Sequence, residues 1–397
     1  MTYPSPFHAR ITAQNETWKY KEWAGILAPC RYIENHVYEY TAFRQSAGMI
    51  DVTPLYKYEL KGKDAALFLA RVTSKDVRKM KPGRVTYLCW CDDDGKVVDD
   101  GTVSRIEEDV FVLTAAEPQY RWLTSYAHGF ELTITDISRT TAALAVQGPT
   151  SRELLRACSS ADMDKLKFFG TVGATIGGKA VRISRTGYTG DLGYEVWSSW
   201  DDGLAVWDEI VRAGKSFALT LAGLDALDMA RIEAGFVLLG VDYFSSPHVT
   251  VPQKKYSPFE IGLDWTVELE REPFIGQKAL LAEKKNNKPG RVLVGLELDW
   301  GHLESLYSAH DMPPQLPAGA SRESLPIYSG GRQVGRVSSS TWSPTLKKYL
   351  ALGTISSEFS KENTTVEVEH TVLYERRVVA AHVVKRPFFD PERKRKP

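Results

Sequence analysis

The chain has 397 residues, of which 43% are hydrophobic and 25% are charged, as in ordinary globular proteins. This length exceeds one typical core and predicts two or three domains. Lys+Arg and Asp+Glu both number 50, so the net charge of +0 gives no support to a nucleic-acid or anionic membrane partner. No stretch approaches the roughly 20 apolar residues that a membrane helix needs.

The cysteines and the two ends of the chain bear on its location. Four cysteines, at positions 30, 89, 91 and 158, are too few for a disulfide framework and favour a reducing cytoplasm. Cys89 and Cys91 would face one side of a strand, and without a second Cys or His pair we expect buried small side chains rather than a metal site. We expect no signal peptide, because no basic end precedes an apolar core. The basic tail "PERKRKP" is expected to be a solvated end.

The first hundred residues or so predict helices, strands and a hairpin. "VYEYTAFRQSAG" predicts a short helix closed by Gly48. "LYKYELKG" alternates like a half-buried strand, and "GKDAALFLARVTS" has apolar residues at helical spacing. "RVTYLCW" and "KVVDDGTVSRI" predict two strands joined by the turn sequence "DDDG".

The middle of the chain continues this mixed pattern. "VFVLTAA" predicts a further strand of the same sheet, and "AALAVQGPTSRELLRA" predicts a strand, a Gly-Pro break and a helix. "GKAVRISRTGYTGDLGYEVWSS" predicts two strands around a glycine-rich turn. "DDGLAVWDEIVRAGK" and "LDALDMARIEAGF" predict two helices, the second ending at Gly235.

From about residue 290 short alternating strands separated by turn residues predict an all-β barrel or sandwich. Residues 302–325 are rich in Pro, Ser and Gly and predict a long loop. The predicted domains are therefore an α+β region at 1–285, which we divide into two lobes, and a C-terminal β-domain at 286–397.

The stretch "CDDDGKVVDDGTVSRI" concentrates five aspartates in ten residues. A calcium loop that starts at Asp92 fails at its fifth and sixth positions, which are Lys96 and Val97. Asp92 to Gly95 are then a hairpin turn. Asp99 and Asp100 would point to opposite faces of the next strand, so one can be solvated while the other points inward. An inward carboxylate is costly unless it is paired or used, although composition alone favours a solvated or turn-capping residue.

"RTGYTGDLGYEVW" carries three glycines within seven residues. No helix follows at once and no Lys-Ser/Thr pair is present, so a phosphate-binding loop is a poor interpretation. A tight turn that lets a flat ligand or another backbone approach is better. From the residues alone, Glu195 after this turn is a solvent-facing strand residue. Arg231 in "ARIEAGF" is, on the same basis, a surface salt-bridge partner of Asp228.

Taken together, these segments resemble the aminomethyltransferase family, whose founder is the T-protein of the glycine cleavage system. The resemblance runs from about residue 36 to 390, and its most specific part is Gly-Tyr-Thr-Gly-x-x-Gly-x-Glu followed by Arg-x-Glu-Ala-Gly. The matching segments occur in family order at 48–55, 95–103, 143–149, 185–196, 222–236, 257–265, 274–280, 334–353 and 387–389. This resemblance implies an α+β, three-lobed fold in which two lobes bind tetrahydrofolate and a β-barrel follows.

The same resemblance implies the roles of individual residues. Asp100, the second residue of the Asp-Asp pair, would be the catalytic carboxylate, which leaves Asp99 as its partner or as a solvated residue. Glu195 would hydrogen-bond the amino edge of the pterin, and Trp265 would lie near the pocket entrance. The implied tetrahydrofolate-binding residues are Tyr87, Tyr188, Glu195, Arg231 and Trp265. No metal site is implied.

The sequence departs from the T-protein pattern in three places. "WAGILAPCRY" replaces a Gly-Trp-x-x-Pro region, Ala115 stands where an Asn is usual, and the segment 302–325 is extra. The first two departures touch the expected donor site, so between an aminomethyl group on a lipoyl carrier protein and an N-, S- or O-methylated small molecule we expect the second. The first would yield methylene-tetrahydrofolate and ammonia, and the second, a demethylation, would yield methyl-tetrahydrofolate.

Two hypotheses place the chain outside this enzyme class. A non-enzymatic folate-binding module needs no Asp-Asp pair and usually carries a cysteine motif that this sequence lacks. A relative of the amine oxidases that share this fold is disfavoured, because no flavin-binding GxGxxG precedes residue 36.

Overall fold

The structure, a computed structural model, describes residues 2–286 and 289–396. Within those residues the helices are α1 His8–Gln14, α2 His36–Gln45, α3 Ala65–Val72, α4 Tyr120–Tyr126, α5 Ser151–Cys158, α6 Gly203–Gly214, α7 Leu224–Glu233, α8 Gln277–Lys285 and α9 Trp300–Ser308. None of these helices in the described residues has both the length and the apolar character that a bilayer crossing requires.

The strands of the same described residues form three separate sheets and one short hairpin. They are β1 Tyr20–Trp23, β2 Ile26–Pro29, β3 Ala47–Asp51, β4 Tyr56–Lys61, β5 Arg84–Cys91, β6 Val97–Glu107, β7 Val110–Ala115, β8 Thr133–Asp136, β9 Thr141–Gln147, β10 Thr171–Ile176, β11 Lys179–Ser184, β12 Gly193–Ser199, β13 Leu219–Leu221, β14 Arg291–Leu298, β15 Leu325–Ser329, β16 Arg332–Ser343, β17 Lys348–Ser356, β18 Thr365–Val372 and β19 Glu375–Val384.

The first lobe is built on a six-stranded sheet in the order β10-β11-β12-β9-β3-β13. Strand β9 lies inside this sheet and is buried on both faces, which explains its small and apolar sequence "TAALAVQ". One face packs with α5 and α6 in a core that includes Leu144 and Ile210. The other face packs with α2 and α7 in a core that includes Ala143 and Met229. The sheet is therefore an internal layer of the molecule.

The second lobe is an antiparallel sheet in the order β5-β6-β7-β4-β8. All five strands come between β3 and β9 in the chain, so the backbone leaves the first sheet, builds the second and returns. The apolar stripe of α3, which includes Phe68 and Leu69, packs with Leu123 of α4 against the strands. The helical spacing predicted for "GKDAALFLARVTS" is confirmed.

The third lobe is a closed barrel in the order β14-β17-β16-β15-β18-β19. In β18, Val366 and Val368 are buried in the barrel core, and the residues next to them are more exposed, as strand alternation requires. The predicted α+β, three-lobed fold with a C-terminal β-barrel is confirmed. The domain boundaries at 285 and 286 stay a prediction.

Helix α2 ends earlier than the sequence predicts. It stops at Gln45, and Gly48 lies in β3, where it pairs with Gln147 of β9. A side chain at position 48 would come within 2.3 Å of the Phe43 ring. Close packing therefore explains this glycine, and its interpretation as the end of the helix is wrong.

The segment 302–325 is not a loop throughout. Helix α9 occupies its beginning, and the Oδ1 of Asp299 accepts the N–H of His302 at 2.8 Å as an N-cap. Leu303 and Tyr307 pack into the barrel core. The Pro- and Gly-rich composition describes only the residues after the helix, so the prediction of a long loop is wrong for this first part.

The basic tail is held against the first lobe. Arg393 donates two hydrogen bonds of 2.7 Å to Asp191, whose side chain is buried, and the N–H of Phe389 donates to the carbonyl of Glu233 at 2.9 Å. The expectation of a solvated end missed this anchor, although the side chain of Arg393 is still 41% exposed. Because Asp191 belongs to the glycine-rich turn, the tail ties the end of the barrel to that turn.

Candidate active site

Asp92 to Gly95 form the turn between β5 and β6, as the sequence predicts. The Oδ1 of Asp92 accepts the N–H groups of Asp94 and Lys96 at 3.0 and 2.9 Å. Gly95 has a φ of 69°, in the region that favours glycine. The Asp92 carboxylate is used within the turn. Asp99 and Asp100 are therefore the aspartates of this hairpin that remain as candidates for chemistry.

Asp99 is fully buried, so of the two alternatives for this residue, a partner of Asp100 or a solvated side chain, the solvated one is wrong. Its two oxygens accept N–H groups at 2.7 to 3.3 Å from Asp100, Ala116, Glu117 and Gln119. Burial raises the pKa of Asp99, and the neighbouring Asp100 charge raises it further. The hydrogen bonds fix the segment after β7 against β6, and Asp99 thereby holds the backbone from which Asp100 projects.

Asp100 carries a carboxylate that two tyrosines hold. The hydroxyl of Tyr87 donates to Oδ2 at 2.5 Å, and the hydroxyl of Tyr243 donates to Oδ1. Tyr243 is fully buried, whereas Asp100 keeps partial exposure. Burial raises the pKa of Asp100, and the two hydroxyl groups oppose this rise. A carboxylate with a raised pKa and partial access is suited to proton transfer.

Trp265 and Tyr87 form an aromatic wall beside Asp100. Their rings stack with centroids 5.6 Å apart and planes at 19°. Trp265 is 56% exposed, and the Nζ of Lys75 lies 5.1 Å from the centre of a Trp265 ring. An exposed, stacked indole offers a flat surface to a heterocycle. The predicted ligand contacts of Trp265 and Tyr87 stay predictions.

Tyr188 projects from the glycine-rich turn toward the end of α7. Its hydroxyl donates to the carbonyl of Val237, and its ring stacks on Phe236 at 5.5 Å. Burial raises the pKa of Tyr188, nearby Arg231 lowers it, and the charge of Asp100 raises it. Tyr188 therefore lies close enough to Asp100 to feel its charge.

The glycines around Tyr188 serve protein packing. A side chain at Gly187 or Gly193 would come within 1.9 or 2.1 Å of the Oε1 of Gln147. At Gly190, where φ is +78°, a side chain would come within 2.6 Å of the Cβ of Ala234. The sequence left open whether a flat ligand or another part of the protein approaches these glycines. In the described residues, protein atoms fill the space next to them. The turn is locked onto β9 and α7, which fixes the direction of Tyr188.

Arg231 is buried, so its interpretation as a surface residue is wrong, although the ion pair with Asp228 that the sequence predicts is present. It donates to Asp228 at 2.7 Å, to Asp242 at 2.6 Å and to the hydroxyl of Ser339 at 2.7 Å. Ser339 belongs to β16, so Arg231 joins α7 to the barrel. Most N–H groups of Arg231 donate to acceptors within the protein. Its predicted contact with tetrahydrofolate stays a prediction.

Glu195 stands on β12, partly buried, behind the same turn. Its Oε2 accepts the indole N–H of Trp197 at 3.3 Å. Burial raises the pKa of Glu195, and Trp197, Thr186 and Lys57 oppose this rise. Trp197 and Tyr188 pack against the same apolar cluster, which places Glu195 on the Tyr188 side of the site. A carboxylate accepts up to about four hydrogen bonds, so Glu195 can take further N–H donors.

Three side chains of this site escaped the sequence-based prediction. Tyr243 lies 143 positions from Asp100 in a segment without periodicity, and no local pattern pairs the two. Lys57 lies on a strand face that alternation predicts to be polar and outward. Trp197 could have been found, because it lies two residues after Glu195 and so on the same face of β12.

A surface cleft of about 510 Å³ lies elsewhere, on the barrel. His302, Tyr328, Glu369 and Arg376 are among its lining residues, which carry charges of both signs. None of the sequence-predicted site residues line it. This cleft therefore belongs to a different face from the group around Asp100.

Two family models match the chain. The model described as "GCVT N-terminal domain" matches residues 8–271, and the one described as "Glycine cleavage T-protein C-terminal barrel domain" matches residues 314–390. The chain is 33% identical to the aminomethyltransferase of Bacillus subtilis over 356 residues, which covers 88% of this chain and 90% of the relative. It is 32% identical to the aminomethyltransferase of Halothermothrix orenii over 371 residues, with 92% and 95% covered.

A solved structure shares the fold. It is the glycine cleavage system aminomethyltransferase T from Bartonella henselae, which is 23% identical and superposes with a TM-score of 0.82. The superposition covers 98% of this chain and 99% of the other. All three lobes of this chain thus have a counterpart in that protein.

Proposed function

The chain belongs to the aminomethyltransferase family of glycine cleavage T-proteins, and from this premise we propose that Asp100 is its catalytic carboxylate and Glu195 its anchor for the pterin. The family makes the protein a tetrahydrofolate-dependent one-carbon transferase. The observation that carries the proposal is the Asp100 carboxylate held by Tyr87 and Tyr243 beside the exposed ring of Trp265.

The chemistry of these side chains fits a reduced pterin. A pterin is flat and presents several N–H donors, for which the carboxylates of Asp100 and Glu195 are matching acceptors. The stacked rings of Trp265 and Tyr87 offer an aromatic face to such a heterocycle. When bound, tetrahydrofolate supplies the nitrogen that takes up the one-carbon unit. Glu195 orients it by its amino edge. Tyr188 lines the pocket from the glycine-rich turn of the first lobe, and Asp100 reaches it from β6 of the second lobe.

Asp100 has the acid–base part in this proposal. Its raised pKa brings the protonated and ionised forms closer in free energy at neutral pH, so the carboxylate can take up or return a proton at Oδ1 or Oδ2. Tyr87 and Tyr243 limit the rise and hold the group in one orientation. The carboxylate also stabilises positive charge that develops beside it.

We infer an aminomethyl donor, carried by a lipoyl group on a partner protein. The relatives named above are aminomethyltransferases, and nothing among them favours a demethylase. Ala115, which replaces the usual Asn, is buried in the apolar core of the second lobe. The altered segment "WAGILAPCRY" contributes the hairpin β1–β2, and the carbonyl of Cys30 accepts the N–H of Asp225 at the start of α7. These departures therefore act on packing in the described structure.

The cytoplasmic location stays a prediction. The four cysteines, Cys30, Cys89, Cys91 and Cys158, are free thiols in the structure. Cys89 and Cys91 are buried in one apolar cluster, as the sequence predicts. A reducing compartment would preserve all four thiols.

An anaerobic calorimetric titration with tetrahydrofolate, followed by assays of product, tests the proposal. We expect Asp100→Asn to bind tetrahydrofolate like the wild type and to lose about 100-fold or more of turnover. We expect Glu195→Gln to bind about tenfold more weakly with an unchanged melting temperature. Wild-type turnover in Asp100→Asn would refute the catalytic role. Methyl-tetrahydrofolate as product, in place of methylene-tetrahydrofolate, would refute the aminomethyl donor.

A further inference from the structure

Lys57 is a fully buried lysine where the first two lobes meet. It lies on β4 of the second lobe with 0% exposure. Its Nζ donates to the carbonyl oxygens of Thr53 at 2.8 Å and Leu55 at 2.7 Å, which use two of its three N–H groups. The centre of a Trp197 ring, on β12 of the first lobe, lies 5.7 Å from the Nζ. The ammonium group is thus out of water and faces an aromatic ring.

Charged groups from both lobes surround Lys57. Four charged groups influence the pKa of Lys57: Asp51 of β3 and Glu195 of β12 in the first lobe, Asp136 of β8 in the second, and Arg139 in the segment that leads back to the first. Burial lowers the pKa of Lys57 to about 7; Asp51, Glu195 and Asp136 oppose this effect and Arg139 adds to it. The amine therefore changes its charge within the physiological pH range.

Trp197 connects this amine to Glu195. One edge of the indole donates its N–H to the Oε2 of Glu195 at 3.3 Å, and one ring of the same indole lies near the Nζ of Lys57. The charge of Lys57 lowers the pKa of Glu195 against the effect of burial. A neutral donor would satisfy the carbonyls of Thr53 and Leu55 equally well, whereas a buried ammonium group is costly. The hydrogen bonds to Thr53 and Leu55 therefore do not explain why a lysine occupies this position, whereas an effect of its charge on Glu195 does.

We propose that Lys57 is a positioning residue that, together with Trp197, keeps Glu195 ionised and aimed at the N–H donors of the pterin. This inference rests on the proposed role of Glu195. The support is greatest at mildly acid pH, where Lys57 is charged and Glu195 is closest to taking up a proton. At pH 8.5 Lys57 is largely neutral and no longer supplies the charge that supports Glu195.

The first test is a titration of the full chain with tetrahydrofolate, kept anaerobic, at pH 6 and pH 8.5. We expect Lys57→Gln to weaken binding about threefold to tenfold at pH 6, because the variant lacks the charge that lowers the pKa of Glu195. At pH 8.5 we expect the variant to bind within about twofold of the wild type. An equal loss at both pH values would show that Lys57 only caps the turn at 53–55, and would overturn the proposal.

Glu195→Gln separates failure of this inference from failure of the proposed function. If Glu195→Gln binds as tightly as the wild type at both pH values, the pterin-anchoring role of Glu195 itself is refuted. If Glu195→Gln weakens binding and Lys57→Gln does not at pH 6, only the role of Lys57 is refuted. Trp197→Phe keeps the ring beside the Nζ and removes the N–H. It leaves the turn carbonyls untouched, and we expect it to weaken binding more at pH 6 than at pH 8.5.

A second readout needs no ligand. Because the pKa of Lys57 is about 7 in the folded protein and 10.5 ordinarily, the unfolded chain binds more protons between these values. Stability conferred by this residue therefore rises with pH across that window. We expect the denaturant midpoint of the wild type to gain more between pH 7.5 and pH 9.5 than that of Lys57→Gln. Identical pH dependence in the two proteins would overturn the premise that Lys57 titrates there.

Discussion

Replacing Tyr243 with Phe removes one of the two hydroxyl groups that hold Asp100 and keeps the ring. The hydroxyl of Tyr243 donates to Oδ1, and Tyr87 continues to donate to Oδ2 in the variant. The ring of Tyr243 packs in an apolar cluster with Ile232 and Val237, and a phenylalanine ring fills the same space. The substitution therefore acts on the carboxylate far more than on the fold.

The size of the effect follows from the strength of one hydrogen bond to a charged group. Such a bond contributes about 1.5–3 kcal/mol, and about 1.4 kcal/mol corresponds to one pKa unit. A hydrogen bond to the ionised form lowers the pKa, so its removal raises the pKa of Asp100. If ionised Asp100 is the active form, the acid limb of kcat/KM moves to higher pH, by about 1 to 2 pH units for a bond of this strength. Above that limb the rate stays within a fewfold of the wild type.

The assay is tetrahydrofolate-dependent turnover from pH 5 to pH 9, with Tyr307→Phe as the matched control. Tyr307 is buried in the barrel, and its hydroxyl donates to the carbonyl of Gln315 at 2.8 Å, so its loss leaves Asp100 untouched. We expect the acid limb of the control to coincide with that of the wild type. An unmoved limb in Tyr243→Phe, or one that moves to lower pH, would refute this account of how Asp100 is tuned.

Two further predictions concern the glycine-rich turn and the tail that holds it. Arg393→Gln leaves the buried Asp191 without its bidentate partner. We expect denaturant melts to show a loss of about 1–2 kcal/mol in the free energy of unfolding. An unchanged denaturation midpoint would contradict a fixed tail. Gly190→Ala brings a Cβ within 2.6 Å of the Ala234 Cβ, whereas Gly178→Ala, at a similar φ of +75°, meets nothing within 4 Å. We expect the Gly190 variant to be less stable than the Gly178 variant by about 1–3 kcal/mol, and equal losses would mean that only backbone strain matters.

The sequence predicted much of the fold because its signals are local. The helical stripe of α3, the alternation of β4 and the turn at 92–95 each follow from residues a few positions apart. Alternation alone left the C-terminal domain open between a barrel and a sandwich. The pairing of β14 with β19 closes the barrel, and it joins strands about 80 residues apart. Gly48 was misinterpreted because it belongs to β3 and pairs with Gln147 of β9, which is 99 positions away and outside the reach of local patterns.

By itself, the sequence determined the family through its motifs, and with the family came the expected importance of Asp100 and Glu195. Only the tertiary structure decided how these carboxylates are held. Tyr243 donates to Asp100 from 143 positions away in the chain. The alternation of β4 did not indicate that the first lobe covers its polar face at Lys57. The physical reason is that exposure and charge state depend on which distant elements pack together. Periodicity along one strand tells which residues share a face, and the partner of that face is set by the fold.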